Sequence, residues 1–465
     1  MWEEFSSNNI ILLTNAGVTT MTSDLNTKVK AASKAAIVLA SMNTDEKNKA
    51  LESMAKALDA KRSSIIQANA QDIDNAMKLK NDGLISQALV DRLKVDDNKI
   101  DGMIAGILDV VDLEDPTGKT LESIEIAEGT FLYKVSCPIG LIGVVFESRP
   151  DVVPQIMSLC LKSGNSIVFK GGSEAIHSNK IIFDILIEAI EHSSKVPAEC
   201  FNLLESREEV MDLLSEDDYI DLVIPRGSNE FVKFIQDNTR VPVLGHADGV
   251  CHVYVDEMAD LDKAYKVCFD SKVQYPAVCN AMETLLVNKH IAPKFLPKMV
   301  EMYKTANVEI RCDDRSYDIA KDIQGLNLKK VEEKDWNTEY NDLILSIKVI
   351  DSLDEAVSHI NTHGSHHTDS IVTEDNDNKR RFVSLVDSSS TIINASTRFA
   401  DGYRYGKGAE VGISTNKIHA RGPVGMEGLV IYKYVLVGDG DTVADFEDDG
   451  CKKYTHKNVL KEFNI

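Results

Sequence analysis

From residue 141 onward the chain alternates short apolar runs with amphipathic segments, and nothing else in it narrows the possible folds as far. Residues 141–146, 166–170, 219–224 and 251–255 read as buried strands, with helix-like segments at 150–163, 174–193 and 228–237 between them. Strand, helix, strand in that order is a βαβ unit, which calls for a parallel sheet covered by helices. A second set repeats the pattern, with strands at 284–287, 343–350, 370–373 and 391–394 and helices at 292–304, 353–361 and 376–386. A chain of 465 residues exceeds what one core holds, so the fold class is α/β, with two parallel-sheet lobes joined near residue 258. A ligand is expected in the crevice between them, at strand carboxyl ends and helix amino ends.

Before the alternation the chain is helical. Thr44 precedes Asp45 and Glu46 as a candidate cap, and Leu51, Met54 and Leu58 recur at helical spacing, followed by Ile65, Ile66, Ile73 and Met77. Two segments fit neither lobe. Residues 121–136 alternate Ile124, Ile126, Phe131 and Tyr133 as a hairpin would, and residues 428–437 form a long apolar strand. Ribbons of this kind are edge liabilities unless another strand covers them, for instance in a second subunit. The tail from Gly438 to Gly450 is acidic and reads as a solvated loop.

Composition removes several function classes. A net charge of −23, from 51 basic and 74 acidic residues, repels nucleic acid and requires that any anionic ligand meet a local cluster of cations. No stretch of about 20 apolar residues could span a bilayer. The start Met1-Trp-Glu-Glu lacks a secretory signal's positive opening, and residues 1–22 contain no arginine for an organelle-targeting helix. Eight cysteines without C-x-x-C spacing support neither a disulfide framework nor a zinc site, so a cytoplasmic setting is expected. His363-Gly-Ser-His-His367 has no companion carboxylate or cysteine at ligand spacing, and no metal is expected.

Some segments could carry chemistry. Cys279 lies in Gln274-Tyr-Pro-Ala-Val-Cys-Asn-Ala-Met-Glu-Thr-Leu-Leu-Val287, after a loop bearing proline and before an apolar strand. It fits two descriptions: a thiolate that attacks an activated carbonyl, or a small buried hydrophobe. Lys170-Gly171-Gly172-Ser173 ends one strand and opens a helix, where close backbone approach and a helix amino end favour an anion. Arg226-Gly227-Ser228 repeats that arrangement after the next strand, and the pair suggests one nucleotide site. Arg149, at a strand end before a helix, could meet a phosphate or carboxylate. The glycine-rich residues 394–423 form a connector long enough to shape a site.

Val145-Phe-Glu-Ser-Arg-Pro-Asp151, Cys279-Asn-Ala-Met-Glu-Thr284, Asn394-Ala-Ser-Thr-Arg-Phe399, Gly408-Ala-Glu-Val-Gly-Ile-Ser-Thr415 and Ile418-His-Ala-Arg-Gly-Pro-Val-Gly425 together resemble the gamma-glutamyl phosphate reductases of the aldehyde dehydrogenase superfamily. The resemblance runs from about residue 24 to 437. Tyr275-Pro-Ala and Tyr454-Thr-His look closer to the reductase half of eukaryotic bifunctional pyrroline-5-carboxylate synthases, while Lys407 and His366 depart from the family pattern. The resemblance implies an aldehyde dehydrogenase-like α/β fold. Its parts would be an N-terminal extension (1–23), a cofactor-binding domain (24–258) with an oligomerisation hairpin (121–136), a catalytic domain (259–427), an oligomerisation strand (428–437) and an acidic tail (438–465).

It implies further that Cys279 is the nucleophile, with the backbone N–H of Cys279 and Asn280 as oxyanion donors. NADPH is the implied cofactor, held by Lys170, Gly171, Gly172, Ser173, Arg226, Gly227 and Ser228, with Glu339 at the nicotinamide ribose. Arg149, Arg398, Glu410 and Arg421 are the implied contacts of L-glutamyl 5-phosphate. A homo-oligomer (dimer or tetramer) and contact with a separate glutamate 5-kinase are the implied partners. Hydrolytic members of the superfamily place a water-activating glutamate in the segment resembling Leu244-Gly-His-Ala-Asp-Gly249; alignment sets Gly245 there, so a thioester is expected to survive until reduced. The competing readings are a hydrolytic or NAD-preferring dehydrogenase, and a scaffold that binds a kinase without turnover.

Overall fold

The computed structural model describes residues 15–85, 87–205, 209–246, 248–447 and 452–463. The expected extension thus lies outside the described residues up to residue 14, and from Asn15 it is already part of the helix Asn15–Ala40. The chain divides into two compact units, one of Met1–Pro225, Ile235–Pro242 and Val430–Ile465, the other of Arg226–Phe234 and Val243–Leu429.

In the first unit a four-stranded sheet runs in the order Phe201–Leu204, Ser166–Gly171, Leu141–Phe146, Leu222–Arg226. Its first three strands pair in parallel, as the βαβ pattern requires. The helix Val152–Lys162 is buried at every position but Gln155, Lys162 included. That lysine is tolerated because its amine donates to Asn48 Oδ1 at 2.6 Å and to the Val111 carbonyl at 2.9 Å. The helix stops where Asn165 N–H reaches the Cys160 carbonyl (2.8 Å) and Gly164 N–H reaches that of Leu161 (3.2 Å). Gly164 has φ +78° there, a left-handed turn that feeds straight into the strand at Ser166. Further upstream, the helix Thr44–Ala60 is capped by Asn43, whose side chain accepts Glu46 N–H, and not by Thr44 as expected. Thr44 is already helical, and its hydroxyl is spent on Asp115.

The hairpin expected at 121–136 is Thr120–Ala127 with Thr130–Pro138, turning at Gly129 with φ +80°. The second apolar segment is not a separate ribbon. Val430–Val437 pairs antiparallel with Thr130–Pro138, and Lys457–Asn458 covers the opposite edge of the hairpin. Nor is the acidic tail simply a solvated loop. Asp441 accepts the Thr130 hydroxyl at 2.7 Å and pairs with Lys452, which fastens the tail to the hairpin.

The second unit is built on a seven-stranded parallel sheet. Its order is Leu328–Lys330, Glu309–Cys312, Ile344–Ile350, Met282–Asn288, Cys251–Val255, Thr368–Val372, Ser390–Ile393. Cys251–Val255, expected in the first sheet, pairs with Met282–Asn288 and Thr368–Val372 here. A run of buried residues identifies a strand but carries no information about which sheet receives it. The helices Leu261–Val273 and Ala292–Thr305 pack on one face through Val267, Phe295, Met299 and Tyr303 against Val253, Leu285 and Ile347. Among the described residues, no helix is long and apolar enough to cross a membrane.

A methyl group added at Gly164 would sit 2.8 Å from the Pro138 ring, in a backbone conformation that side chains resist. Gly164→Ala is expected to destabilise the protein by about 1–3 kcal/mol, read as a lower denaturation midpoint at an unchanged slope. A midpoint equal to the parent's would contradict this account of the helix end.

Candidate active site

Cys279 stands in the short connection between the helix Leu261–Val273 and the strand Met282–Asn288. Two groups flanking this connection are locked together: Lys272 Nζ meets Glu283 Oε2 at 2.6 Å, and neither side chain has any exposure. Burial pushes the Glu283 carboxyl up to about 8 and the Lys272 amine down, and the contact between the two opposes both shifts. The connection is pressed from behind. A Cβ on Gly249 would lie 2.2 Å from the Cys279 carbonyl oxygen and 2.6 Å from its Cβ, so only glycine allows this approach. The Cys251 thiol donates to the same carbonyl at 3.1 Å.

Accessibility separates Cys279 from most other thiols. Cys160, Cys200, Cys251, Cys268 and Cys312 are buried, and burial pushes Cys200 up to about 11 and Cys312 up to about 12. Cys279 and Cys137 alone among the described cysteines are partly exposed, and Cys137 lies in the hairpin. The thiol does not sit at a strand carboxyl end, whereas Lys170 and Gly171 do. Cys279, Cys251 and His367 all stand at or just before the amino ends of their strands, because the thiol comes from a connection entering the sheet.

Two imidazoles join the thiol. Donor atoms of His246, Cys279 and His367 lie within 4.8 Å of one another, and the two rings meet edge to face with centroids 4.8 Å apart. His246 Nδ1 bonds the Ile413 carbonyl at 2.8 Å, and burial lowers its basicity. His367 is fully buried; its Nδ1 meets the Thr368 hydroxyl at 2.9 Å, and its Nε2 has no partner among the described residues. The same donor types ligate zinc, though a tetrahedral site asks for edges of about 3.5 Å.

The sequence candidates of the second unit divide by what they already hold. Arg398 is buried, donates from Nε to Gln274 Oε1 at 2.9 Å, and interacts electrostatically with Cys279. Arg404, not singled out from the sequence, donates to the Arg398 carbonyl, which adds a second cation. Asn280 is anchored through its amide to the Ala400 carbonyl at 2.8 Å, and its Oδ1 is buried without a partner among the described residues. Glu410 accepts Gly402 N–H at 2.7 Å; burial raises its carboxyl, and nearby Arg226 opposes the shift. Glu339 accepts Asn229 Nδ2 at 2.8 Å. Gly227 and Ser228 are exposed ahead of the helix Asn229–Asp237. Arg421 is spent on Asp387, which also receives Lys417.

In the first unit, Lys170 is buried with its amine turned onto the Gly171 carbonyl, and Ser173 is exposed at the helix entrance. A cavity of only about 10 Å³ there is lined by Gly171, Gly172, Ile176, Asn179 and Leu204. A Cβ at Gly171 would meet Asn179 Nδ2 at 2.3 Å, and Asn179 Oδ1 is buried without a partner among the described residues. Arg149 is exposed, and Ser148 before it is held at φ +48° by Glu174, which accepts both its N–H and its hydroxyl at 2.7 Å.

Residues 14–335 match the model of the Aldehyde dehydrogenase family. The gamma-glutamyl phosphate reductase of Methanococcoides burtonii is 65% identical over 439 residues, covering 94% of this chain and 98% of the relative. The chain belongs to the aldehyde dehydrogenase family, in its gamma-glutamyl phosphate reductase branch. The Methanosarcina barkeri protein of that name is 63% identical over 95% of this chain and 99% of its own length. The crystal structure of the Thermotoga maritima gamma-glutamyl phosphate reductase matches with a TM-score of 0.85 at 41% identity, over 89% of this chain and 98% of that one.

Against this family background, His246 and His367 are the site residues that the sequence alone leaves unmarked. Both lie in notable runs, beside Gly245 and after Gly364-Ser-His, but neither run announces that it converges on Cys279. The signal available is position: each precedes a buried strand by a few residues, as the thiol does.

Lys272→Met is expected to destabilise the protein by about 3–5 kcal/mol, because it strands Glu283. Lys272→Met with Glu283→Leu should recover most of that loss in chemical denaturation. A double variant as unstable as the single one would show that packing, and not the uncompensated charge, sets the cost. Gly249→Ala is expected to depress alkylation of Cys279 by displacing it, with secondary structure retained by circular dichroism. Unchanged alkylation would contradict the close approach.

Proposed function

We propose that this chain reduces L-glutamyl 5-phosphate to L-glutamate 5-semialdehyde and phosphate with NADPH, the second step of proline biosynthesis from glutamate. The observation that carries the reading is a partly exposed thiol held beside two imidazoles and a buried arginine, in a chain 65% identical to a gamma-glutamyl phosphate reductase. Cys279, once deprotonated, attacks the acyl carbon, a carbon–sulfur bond forms, and phosphate departs with the electrons of its bond to carbon. A thiolate suits both halves of the reaction, since it attacks well and leaves well. Negative charge building on the acyl oxygen falls to the backbone N–H of Cys279, with Asn280 holding that loop to Ala400.

NADPH, when bound, supplies a hydride to the acyl carbon. Lys170, Gly171, Gly172 and Ser173 would hold its adenosine end, with Arg226, Gly227 and Ser228 as further phosphate contacts and Glu339 at the ribose. After reduction, Cys279 leaves as thiolate and the aldehyde carbonyl reforms. Arg398, with Arg404 bonded to its carbonyl, would hold substrate anion, and Glu410 and Arg149 are the further candidate contacts. Arg421 could join them only by releasing Asp387. The outer edge of Val430–Val437, with Tyr432, Tyr434 and Leu436 exposed, would seat a second copy of the chain. A separate kinase would supply the acyl phosphate.

Cys279→Ala is expected to abolish reduction while NADPH binding, followed by fluorescence, stays near the parent value. The reverse reaction, reduction of NADP⁺ by the semialdehyde, should require phosphate. Turnover by Cys279→Ala at near the normal rate would refute the mechanism, and a reverse reaction indifferent to phosphate would point to hydrolytic chemistry.

A further inference from the structure

A nucleophilic thiol needs somewhere to put its proton. His246 shares the cluster with Cys279, and its ring is oriented by a contact of defined direction. A carbonyl oxygen can only accept, so the 2.8 Å bond to Ile413 fixes the hydrogen of a neutral His246 on Nδ1. The other nitrogen, Nε2, is then the ring's acceptor, and His246 shares the cluster with Cys279 and His367. The surroundings act on the ring in both directions: burial lowers its basicity most, Arg226 adds to that, and the Ile413 bond with Glu339 and Asp248 opposes it. Glu410 and His367 are the remaining titratable groups facing it. His367 is less suited to the part, since its Nδ1 faces the Thr368 hydroxyl, which can donate to it, and the Cys251 thiol at 3.7 Å.

Resting on the thioester reading above, we infer that His246 is the acid–base partner of Cys279, taking the thiol proton on Nε2 and passing it to the departing phosphate. The proton moves from Sγ to Nε2, leaving thiolate and imidazolium. Sγ bonds the acyl carbon, the carbon–oxygen bond to phosphate breaks, and phosphate leaves with that electron pair and the proton from Nε2. His246 is then neutral again, with the acyl group on sulfur. The thiolate released with the aldehyde regains its proton from solvent through the same nitrogen, which accounts for the one proton the overall reduction consumes. Separations of up to 4.8 Å exceed a hydrogen bond, and catalytic contacts that are long in a free enzyme tighten once substrate is bound.

The test separates this role from tethering. In His246→Asn, the amide nitrogen takes the place of Nδ1 and keeps the donor to Ile413, but nothing replaces Nε2. In His246→Gln, a polar atom reaches the Nε2 position and the tether is lost. Alkylation of Cys279 by iodoacetamide, followed by peptide mapping across a pH series without cofactor, reads the thiol directly. In His246→Asn alkylation of Cys279 at neutral pH should slow, because no base stands beside the sulfur to receive its proton. Reduction at neutral pH should fall by about 10²–10⁴-fold. If His246→Asn superimposes on the parent while His246→Gln is impaired, His246 is only a tether and the inference is overturned. Cys279→Ala, assayed in parallel, keeps the two claims apart. If it is inactive while the Asn profile is unmoved, only the acid–base assignment fails; if it remains active, the thioester reading fails with it.

Discussion

The buried ion pair between Lys272 and Glu283 is the constraint on which the reactive loop depends. It joins the last turn of a helix to the second residue of a strand, and the chain between them has to return within that span. A water-free pair of opposite charges adds little net stability over apolar residues of similar volume, but it is costly to break. Its contribution here is register. With both ends of the loop fixed and Gly249 behind it, the sulfur has few positions open to it, and the imidazoles of His246 and His367 can be set around it.

Charge is distributed with the same economy. The chain carries a net charge of −23, yet its proposed substrate and cofactor are anions. Cations are therefore concentrated where the chemistry needs them and neutralised elsewhere. Arg398 is buried near Cys279 with Arg404 at its carbonyl, whereas Arg421, Lys417 and Lys272 are consumed by internal carboxylates. Counting arginines in a motif does not distinguish these cases, because an ion pair such as Arg421 with Asp387 joins residues far apart in sequence.

Much of the fold is legible without coordinates. Strands and helices after residue 141 follow from apolar run length and helical spacing. The strands Ile344–Ile350 and Met282–Asn288 begin and end within a few residues of expectation, because buried segments leave so little choice of period. What sequence cannot supply is assignment across distance. Cys251–Val255 looks the same whichever sheet it joins, and the ribbon at 120–138 gives no hint that Val430–Val437 will pair with it. At the site, Cys279 is visible through its loop and family motif. Its imidazole neighbours are not, since Cys279 and His367 are 88 positions apart and meet only because parallel strands bring their amino ends together.

The most direct measurement of the central claim is the intact mass of the protein after mixing with freshly generated glutamyl phosphate in the absence of reduced cofactor. The account predicts an adduct of one glutamyl group, mapped to Cys279 and discharged by hydroxylamine or by adding NADPH, with phosphate released in equal amount. Phosphate release without an adduct, or an adduct on any other residue, would contradict it.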